Sequence, residues 1–597
     1  MALRFLLVAS ADRERRVELE AKLSQHVALQ PVFRGSLFVI MLPAGESVLE
    51  LPNHGGAVIG QIFRRYGSAA AVDKLDGVAG GAIHTSGGQE LIDRYWGEYI
   101  AVIETPSALR VLRAPLGNLP CYYIQADGVT VFASDPDLLS EAGLFTPKID
   151  WSGVVRYLYA RDLPSETTSL EGLTELLPGN LVDVQDGVSR TRQCWSPWDF
   201  VREDSRRSGD PVEEQFKRVA QHCARAWASS YDRLLLGVSG GLDSSIVAAS
   251  LDSSSDLSCI TLVTDGPDGD EREYARTIAH AISADLREEF YTLRDVDIGR
   301  SVVSHRPRPC GRSHELSFHA SVLKAAREAH AGAFVTGNGG DNVLYNTQSA
   351  RPIADRFLVE GLGAGLFKTI QDICTLTGCS AVQAIREALR VLRQSGRAYI
   401  WKADTLFLHR DIVDAQTAEK LSHPWLEAPK NALPGKAAHV GMILRMQHHL
   451  EGYDRHWGLP VLNPLASQPL VELCLSIPTW EMCIGGMNRA VARAAFSDVL
   501  PPALIARRTK GGPDSFALQV IDQNLGEVRD RLLGGNLARR GILDLKHLEM
   551  TLHQGRFHGD AAYLRVLSLL DTEAWIDHWN TRHLTAVRLA DSSLEPT

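Results

Sequence analysis

Short runs of alternating apolar and polar residues crowd the first 200 positions: Ala2–Ala9, Ser36–Leu42, Ala57–Ile62, Tyr99–Glu104, Leu109–Ala114, Cys121–Gln125, Val129–Ala133 and Asn180–Val184. A period of two, broken by Gly, Pro, Asn and Asp, predicts antiparallel strands packed as a sandwich. Around Ser205–Asp210 the chain turns small and charged, as a linker does. From Pro211 the period changes. Helical spacing over Pro211–Ala228 leads into an apolar run, Leu234–Val238, and a helix opening near Ser245. Strands at Leu257–Thr264, Arg287–Tyr291 and Ala333–Thr336 then alternate with helices at Glu271–Ser283 and Leu316–His330. That alternation predicts a parallel, doubly wound sheet, so the expected class is α/β with two domains, residues 1–205 and 211–597. Beyond about residue 345 the spacing is mostly helical, with no internal repeat and no low-complexity tract.

Bulk properties narrow the classes. The 597 residues are 45% hydrophobic and 22% charged, ordinary for a globular chain. A net charge of −10, from 62 basic and 72 acidic residues, argues against a broad basic field for nucleic acid. Nine scattered cysteines form neither a zinc spacing nor a disulfide framework. The opening run Leu3–Ala9 is too short for a secretory core, and no 18-residue apolar run occurs, so the expectation is a cytoplasmic protein with no membrane partner.

The chemistry concentrates in two turns. After Leu234–Val238 comes Ser239-Gly240-Gly241-Leu242-Asp243-Ser244-Ser245. Glycines admit a ligand close to the backbone, and the N–H groups opening a helix face an anion. The serines add hydroxyl donors, and Asp243 adds a carboxylate suited to Mg²⁺ between phosphates. No Walker loop occurs; the turn resembles the SGGxDS loop of the N-type ATP pyrophosphatases, which cleave ATP to AMP. After Ala333–Thr336 comes Gly337-Asn338-Gly339-Gly340-Asp341-Asn342, where Asp341 is a second candidate Mg²⁺ ligand opposite Asp243. Two further segments stand out. His305–His314 is rich in cations and proline, fitting either a grip on a peptide carboxylate or phosphate, or a solvated connection. Trp401 and Phe407, in a helical stretch over Leu358–Leu408, read as helix-packing aromatics rather than a peptide cavity.

Over roughly the first 520 residues the chain resembles the asparagine synthetase B family. Arg113-Ala114-Pro115-Leu116-Gly117-Asn118-Leu119-Pro120-Cys121-Tyr122-Tyr123 is similar to its RDPLGxxPLYY segment, and Val131–Asp135 to its FASE segment. Leu177–Asn180 is similar to LPPG, with Trp195 where a YW pair is usual, Pro460–Asn463 to PFLD, and Leu500-Pro501-Pro502 with Arg508-Thr509-Lys510 to LP…RxK. The resemblance implies an Ntn-hydrolase-like αββα sandwich followed by an ATP pyrophosphatase domain with helical insertions. It implies ATP and Mg²⁺, phosphate binding by Ser239–Ser245, Gly337, Gly339 and Gly340, adenine contact near Leu262 and Val263, and Lys510 as the cation facing departing pyrophosphate. Asp268, Glu271 and Arg272 follow the adenine strand; for Glu271 a ligand role and a helix-dipole role stay open.

Two departures redirect the reading. The glutaminase half of that family uses a cysteine uncovered by removal of the initiator methionine; residue 2 here is Ala, and the first cysteine is Cys121. The sandwich is therefore expected to keep its fold without ammonia-supplying chemistry. The family's GEGADE carries a glutamate where Asn338 stands, and β-lactam synthetase carries tyrosine there, a pattern that points to a larger amine as nucleophile. The base in β-lactam synthetase lies on a helix matching Met446–Asp454, where His448 and Glu451 share a face. The chain is most similar to the lasso-peptide cyclases, which implies macrolactam formation on a core peptide, with a leader peptidase and a leader-recognition protein as partners. The alternatives are an ammonia-dependent asparagine synthetase, a small-molecule amide ligase of the β-lactam synthetase type, and a degenerate peptide-binding scaffold.

Overall fold

The computed structural model describes residues 3–52, 55–106, 108–185, 188–201, 209–251, 256–264, 266, 269–394, 399–419, 421–508, 511–554 and 562–592. Its first twelve strands are β1 Leu6–Ala9, β2 Gln30–Arg34, β3 Phe38–Leu42, β4 Leu49–Leu51, β5 Gly56–Arg64, β6 Tyr95–Glu104, β7 Leu109–Arg113, β8 Tyr122–Ala126, β9 Val129–Ala133, β10 Thr174–Glu175, β11 Asn180–Gln185 and β12 Val188–Gln193. They form two antiparallel sheets, ordered β10-β8-β9-β1-β3-β2 and β12-β11-β7-β6-β5-β4.

Alternation decides the layering. Leu7 and Ala9 of β1 meet Ala57, Ile59, Ile100 and Val102 of the other sheet in a shared core. Leu6 and Val8 turn the opposite way, onto Leu19 and Leu23 of the helix Arg13–His26. The second sheet is covered in turn by Gly77–Thr85 and Gln89–Arg94, through Ile83, Leu91 and Ile92. The result is an αββα sandwich, the layering that the sequence resemblance implies.

The second half is built on five parallel strands: β13 Arg233–Gly237, β14 Asp256–Val263, β15 Asp285–Phe290, β16 Ala333–Val335 and β17 Val461–Leu462. Their order is β15-β14-β13-β16-β17. Leu234 and Leu236 of β13 face Ile246, Val247, Phe216 and Cys223 on one side. Leu235 faces Val322, Leu323 and Ala326 of the helix Glu315–Glu328 on the other. Helices on both faces make the sheet doubly wound. The chain runs outward from β13 to β15, then returns to β16, so the crevice between β13 and β16 is the topological switch point where such sheets bind ligands.

Boundaries moved at several places. The helix expected near Ser245 begins at Leu242, which puts Asp243 and Ser244 in its first turn. β17, β10 and the polar edge strand β12 have no apolar run to announce them; β17 and β10 are two residues each. Of the linker expected over Ser205–Asp210, residues 205–208 lie outside the described residues.

Candidate active site

Both chemical turns open at the carboxyl ends of neighbouring strands, β13 and β16. In the first, Gly240 sits at φ +60°, and a Cβ there would lie 2.2 Å from Cβ of Tyr274, so glycine is required twice over. Its carbonyl accepts from Arg507 at 2.8 Å. The turn is braced by its own serines: Ser239 N–H donates to Ser244 Oγ at 3.3 Å, and Ser245 Oγ donates to the Gly241 carbonyl at 2.8 Å. The second turn is pinned by Thr336, whose Oγ1 accepts from Asn338 N–H at 3.0 Å and donates to Asn463 Oδ1 at 2.6 Å. The two turns nearly touch. A Cβ on Gly340 would fall 2.4 Å from Cγ of Asp243.

Between the two aspartates lies a side chain that sequence reasoning missed. Nη1 of Arg489 stands 3.0 and 3.1 Å from the carboxylate oxygens of Asp243 and 2.7 Å from Oδ1 of Asp341. Arg489 caps a helix, Ala490–Ala495, from the left-handed region at φ +55°, an uncommon conformation for a residue with a Cβ. Both carboxylates thus converge on one point of positive charge, and their hard oxygen donors fit Mg²⁺. Among the described residues no group of three or more His, Cys, Asp or Glu side chains gathers for a metal. Two carboxylates with phosphate oxygens and water is the set expected of Mg²⁺ at a polyphosphate.

A cavity of about 620 Å³ begins at these turns and takes in Ser239, Gly241, Asp243, Ser244, Leu262, Gly337, Asn338, Gly339, Gly340 and Asp341. Leu242, Ser245 and Val263 are buried behind it in the core, and Gly240 turns toward Tyr274 and Arg507. Lys510 and Asp268 lie outside the described residues. Glu271 lines the cavity at the opening of a helix, and its Oε1 is engaged by the protein itself. As N-cap of Arg272–Ala281, it accepts from Arg507 at 2.5 Å and from Gly511 N–H at 2.9 Å, anchoring the start of the loop after residue 510. Arg272 pairs with Asp270.

The cavity continues to a far wall that includes Arg312, His314, His319, His448, His449 and Glu451. Burial pushes His448 and His314 down to about 4 and His319 to about 3, so these rings are neutral near pH 7. His448 Nε2 and His314 Nδ1 are buried without hydrogen-bond partners. Glu451, by contrast, is engaged: Oε2 lies 3.1 Å from Nε of Arg306, and Oε1 accepts from the Tyr122 hydroxyl at 3.3 Å.

The His305–His314 segment is not a solvated connection. Arg306 donates to the carbonyls of His448, Glu451 and Gly452, and Arg308 to those of Ser165 and Thr167 and to the Glu175 carboxylate. Arg308 thereby joins the two domains, and Arg306 ties the segment to residues 448–452 within the second; Arg306 and Arg312, the latter with a 3.6 Å link to Glu315, both line the cavity. Trp401 and Phe407 are core residues: Trp401 Nε1 donates to the Ala160 carbonyl, and Phe407 packs on His547. The sandwich motifs also work as docking elements. Asn118 donates to the Val461 carbonyl of β17, and Trp195 Nε1 to Glu472 at 2.9 Å. Cys121 is fully buried, its thiol pushed up to about 12 by burial, which leaves it no nucleophilic character.

Paired glycine turns, each carrying a carboxylate at the switch point of a parallel sheet, beside an amidotransferase-like sandwich, define an adenylating ligase. Residues 221–577 match the asparagine synthase family, and residues 81–195 match the glutamine amidotransferase domain. The chain belongs to the asparagine synthase family: it is a C–N ligase that forms amides at the expense of ATP, releasing AMP and diphosphate. No curated protein matches it in sequence. Solved structures similar to it include an allosteric regulatory enzyme of purine biosynthesis (10% identity, 48% of this chain and 80% of that one, TM-score 0.22). Another is the glutamine phosphoribosylpyrophosphate amidotransferase from B. subtilis complexed with ADP and GMP (11% identity, 48% and 65%, TM-score 0.21). No helix among the described residues is long and apolar enough to cross a membrane.

Proposed function

We propose that this ligase closes a macrolactam ring on a ribosomal core peptide, as a lasso-peptide cyclase does. The observation that carries this reading is the nucleophile side of the cavity. Asn338 stands at the turn, Glu451 is tied to Arg306 and Tyr122, and the cavity-lining imidazoles of His314, His319 and His448 are neutral with little basicity. Such a site favours a nucleophile with an appreciable uncharged fraction near pH 7. A peptide α-amine, with an ordinary pKa of about 7.7–8.0, is roughly a tenth or more uncharged there, whereas a lysine amine at about 10.4 is uncharged less than about one part in a thousand.

The reaction follows in two balanced steps. A side-chain carboxylate oxygen of Asp or Glu in the peptide attacks the α-phosphorus of ATP, and pyrophosphate leaves. The peptide's freed α-amine then attacks the acyl carbon, the bond to AMP breaks, and the amine proton passes to Nε2 of His448. Amides and hydroxyls of Ser239–Ser244 hold the phosphates, and Lys510 is the proposed counter-charge for the departing pyrophosphate. Asp243 and Asp341 would hold Mg²⁺, which would supply positive charge to the phosphates as pyrophosphate leaves. Holding amine and acyl group together supplies up to ~7–11 kcal/mol of the barrier. The reading brings in a leader peptidase to free the amine and a leader-recognition protein to deliver the precursor.

The test is mass spectrometry of a candidate core peptide incubated with the enzyme, the peptidase, ATP and Mg²⁺. Loss of one water with stoichiometric AMP, abolished in Asp243→Ala, is the expected result. AMP formation driven by aspartate and ammonia, with the peptide unchanged, overturns the reading in favour of asparagine synthesis.

A further inference from the structure

Exposed large apolar side chains are unevenly spread. Of nineteen among the described residues, eight fall between positions 357 and 389: Phe357, Leu358, Val359, Leu362, Phe367, Val382, Ile385 and Leu389. Five cluster in the turn between the helices Arg351–Glu360 and Ala364–Thr377, held tight by Arg356, which donates to Glu360 at 2.8 Å and to Thr369 at 3.1 Å. The other three lie on Ala381–Arg393, which packs on both. That helix is firmly defined, with a capping box between Ser380 and Gln383. Yet its fully buried residues are only Ala384 and Ala388. Val382, Ile385 and Leu389, at i, i+3 and i+7, form a second apolar stripe turned to solvent, with Val382 76% exposed. A surface helix normally turns such a stripe inward, and an outward one marks a contact face.

The flank of this stripe selects the partner. Arg386, Arg390 and Arg393 line the helix beside it, and Lys368 is exposed on the neighbouring helix. The nearby acids are already shared: Glu387 lies 3.9 and 3.6 Å from Arg386 and Arg390, and Glu360 bonds Arg356. The rim is therefore cationic in a chain of net charge −10. We propose that the outer face of these three helices docks a protein segment carrying an apolar helical stripe flanked by acidic residues. A second copy does not suit it, because an isologous contact sets arginine rim against arginine rim. An anionic bilayer does not either, since it repels the −10 body behind the patch. The occupant would leave the cavity open. Asp355 of the first helix accepts from Gly435 N–H at 2.7 Å, at the start of the helix Pro434–Leu450, and His448 lies ~20 Å along that helix. The inference does not depend on the ring-closing reading.

The probe is a designed 18-residue amphipathic helix with a leucine stripe flanked by glutamates, beside a lysine-flanked counterpart, titrated by fluorescence anisotropy against the full chain. The glutamate peptide should bind at least tenfold tighter than the lysine peptide, and more weakly as salt rises. Ile385→Asp with Leu389→Asp should cost at least tenfold, and Arg386→Glu with Arg390→Glu should reverse the preference. Stabilisation of both variants by Mg·ATP should be unchanged, which separates loss of docking from loss of the ligase site. Equal binding of the two peptides overturns the proposal. So does binding of phosphatidylserine vesicles without binding of the glutamate peptide, or a sedimenting dimer that Ile385→Asp abolishes.

Discussion

Arg489 is the residue on which the electrostatics of the nucleotide site turn. Its guanidinium bridges two carboxylates whose like charges otherwise face each other at close range. Arg489→Met removes that counter-ion while keeping much of the side chain's bulk. The nucleotide-free variant should bind Mn²⁺ at least tenfold tighter than the parent in an EPR titration; unchanged affinity would mean that the guanidinium does not compete for this site. His448 allows a second separation. Its ring lines the far wall of the cavity, and its Nε2 is buried without a partner. His448→Gln should leave ATP–pyrophosphate exchange within about twofold, while amide formation falls ~10²–10⁴-fold, the range for loss of a positioned base. Equal losses in both steps would place the ring in substrate binding. Neither residue was equally visible beforehand. His448 stood in a stretch with a known counterpart, but Arg489 sits in Gly-Met-Asn-Arg, where nothing local distinguishes it; it becomes functional only by reaching back 246 positions to Asp243.

At the scale of elements, what could be read were those whose own residues dictate them. The strand β13 is a bare apolar run followed by glycines, and the turn after it has to be small because a Cβ on Gly240 would lie only 2.2 Å from Cβ of Tyr274. β17 could not be read by periodicity, since two residues carry no period; it exists because Phe334 and Val335 offer an edge to Val461 and Leu462. The same logic explains the His305–His314 segment. Its cations looked available in sequence, yet carbonyls and a carboxylate from distant elements absorb Arg306 and Arg308. The apposed turns offer the sharpest test at this scale. Gly340→Ala places a methyl 2.4 Å from Cγ of Asp243, so one turn has to retreat. The variant should keep its far-UV circular dichroism, lose ~1–3 kcal/mol of stability to overpacking, and bind ATP at least tenfold more weakly by calorimetry. Full ATP affinity would show that the turns need not touch.

Across the whole molecule, the long terminal helix Ala562–Ser592 holds one wall of the cavity in place. Trp575 Nε1 donates to the Arg306 carbonyl at 2.8 Å, and Asp571 accepts from Val302 N–H at 2.7 Å and Ser301 Oγ at 2.9 Å. Val302 and Arg306 line the cavity, so the last helix of the chain shapes a site whose phosphate turns lie more than 200 residues earlier. No spacing in the sequence announces that link. It leaves a pH signature. Burial pushes Asp571 up to about 7, against the two hydrogen bonds that favour its charged form. Between its ordinary 3.8 and about 7, the folded protein holds a proton that the unfolded chain has released. By linkage, this group's contribution is full below pH 3.8 and is lost as pH rises through about 7, a change of up to about 4 kcal/mol. Asp571→Asn keeps an acceptor for Val302 N–H, lets Ser301 Oγ accept in place of donating, and cannot titrate. The difference in Tm, variant minus parent, should therefore grow from pH 4 to pH 7 and level off near pH 8. Other raised carboxylates, such as Glu98 and Asp137, occur in both proteins and cancel in that difference. A Tm difference flat across this range would mean that Asp571 is charged in the fold at every pH, and that the wall it braces is wetter than its burial implies.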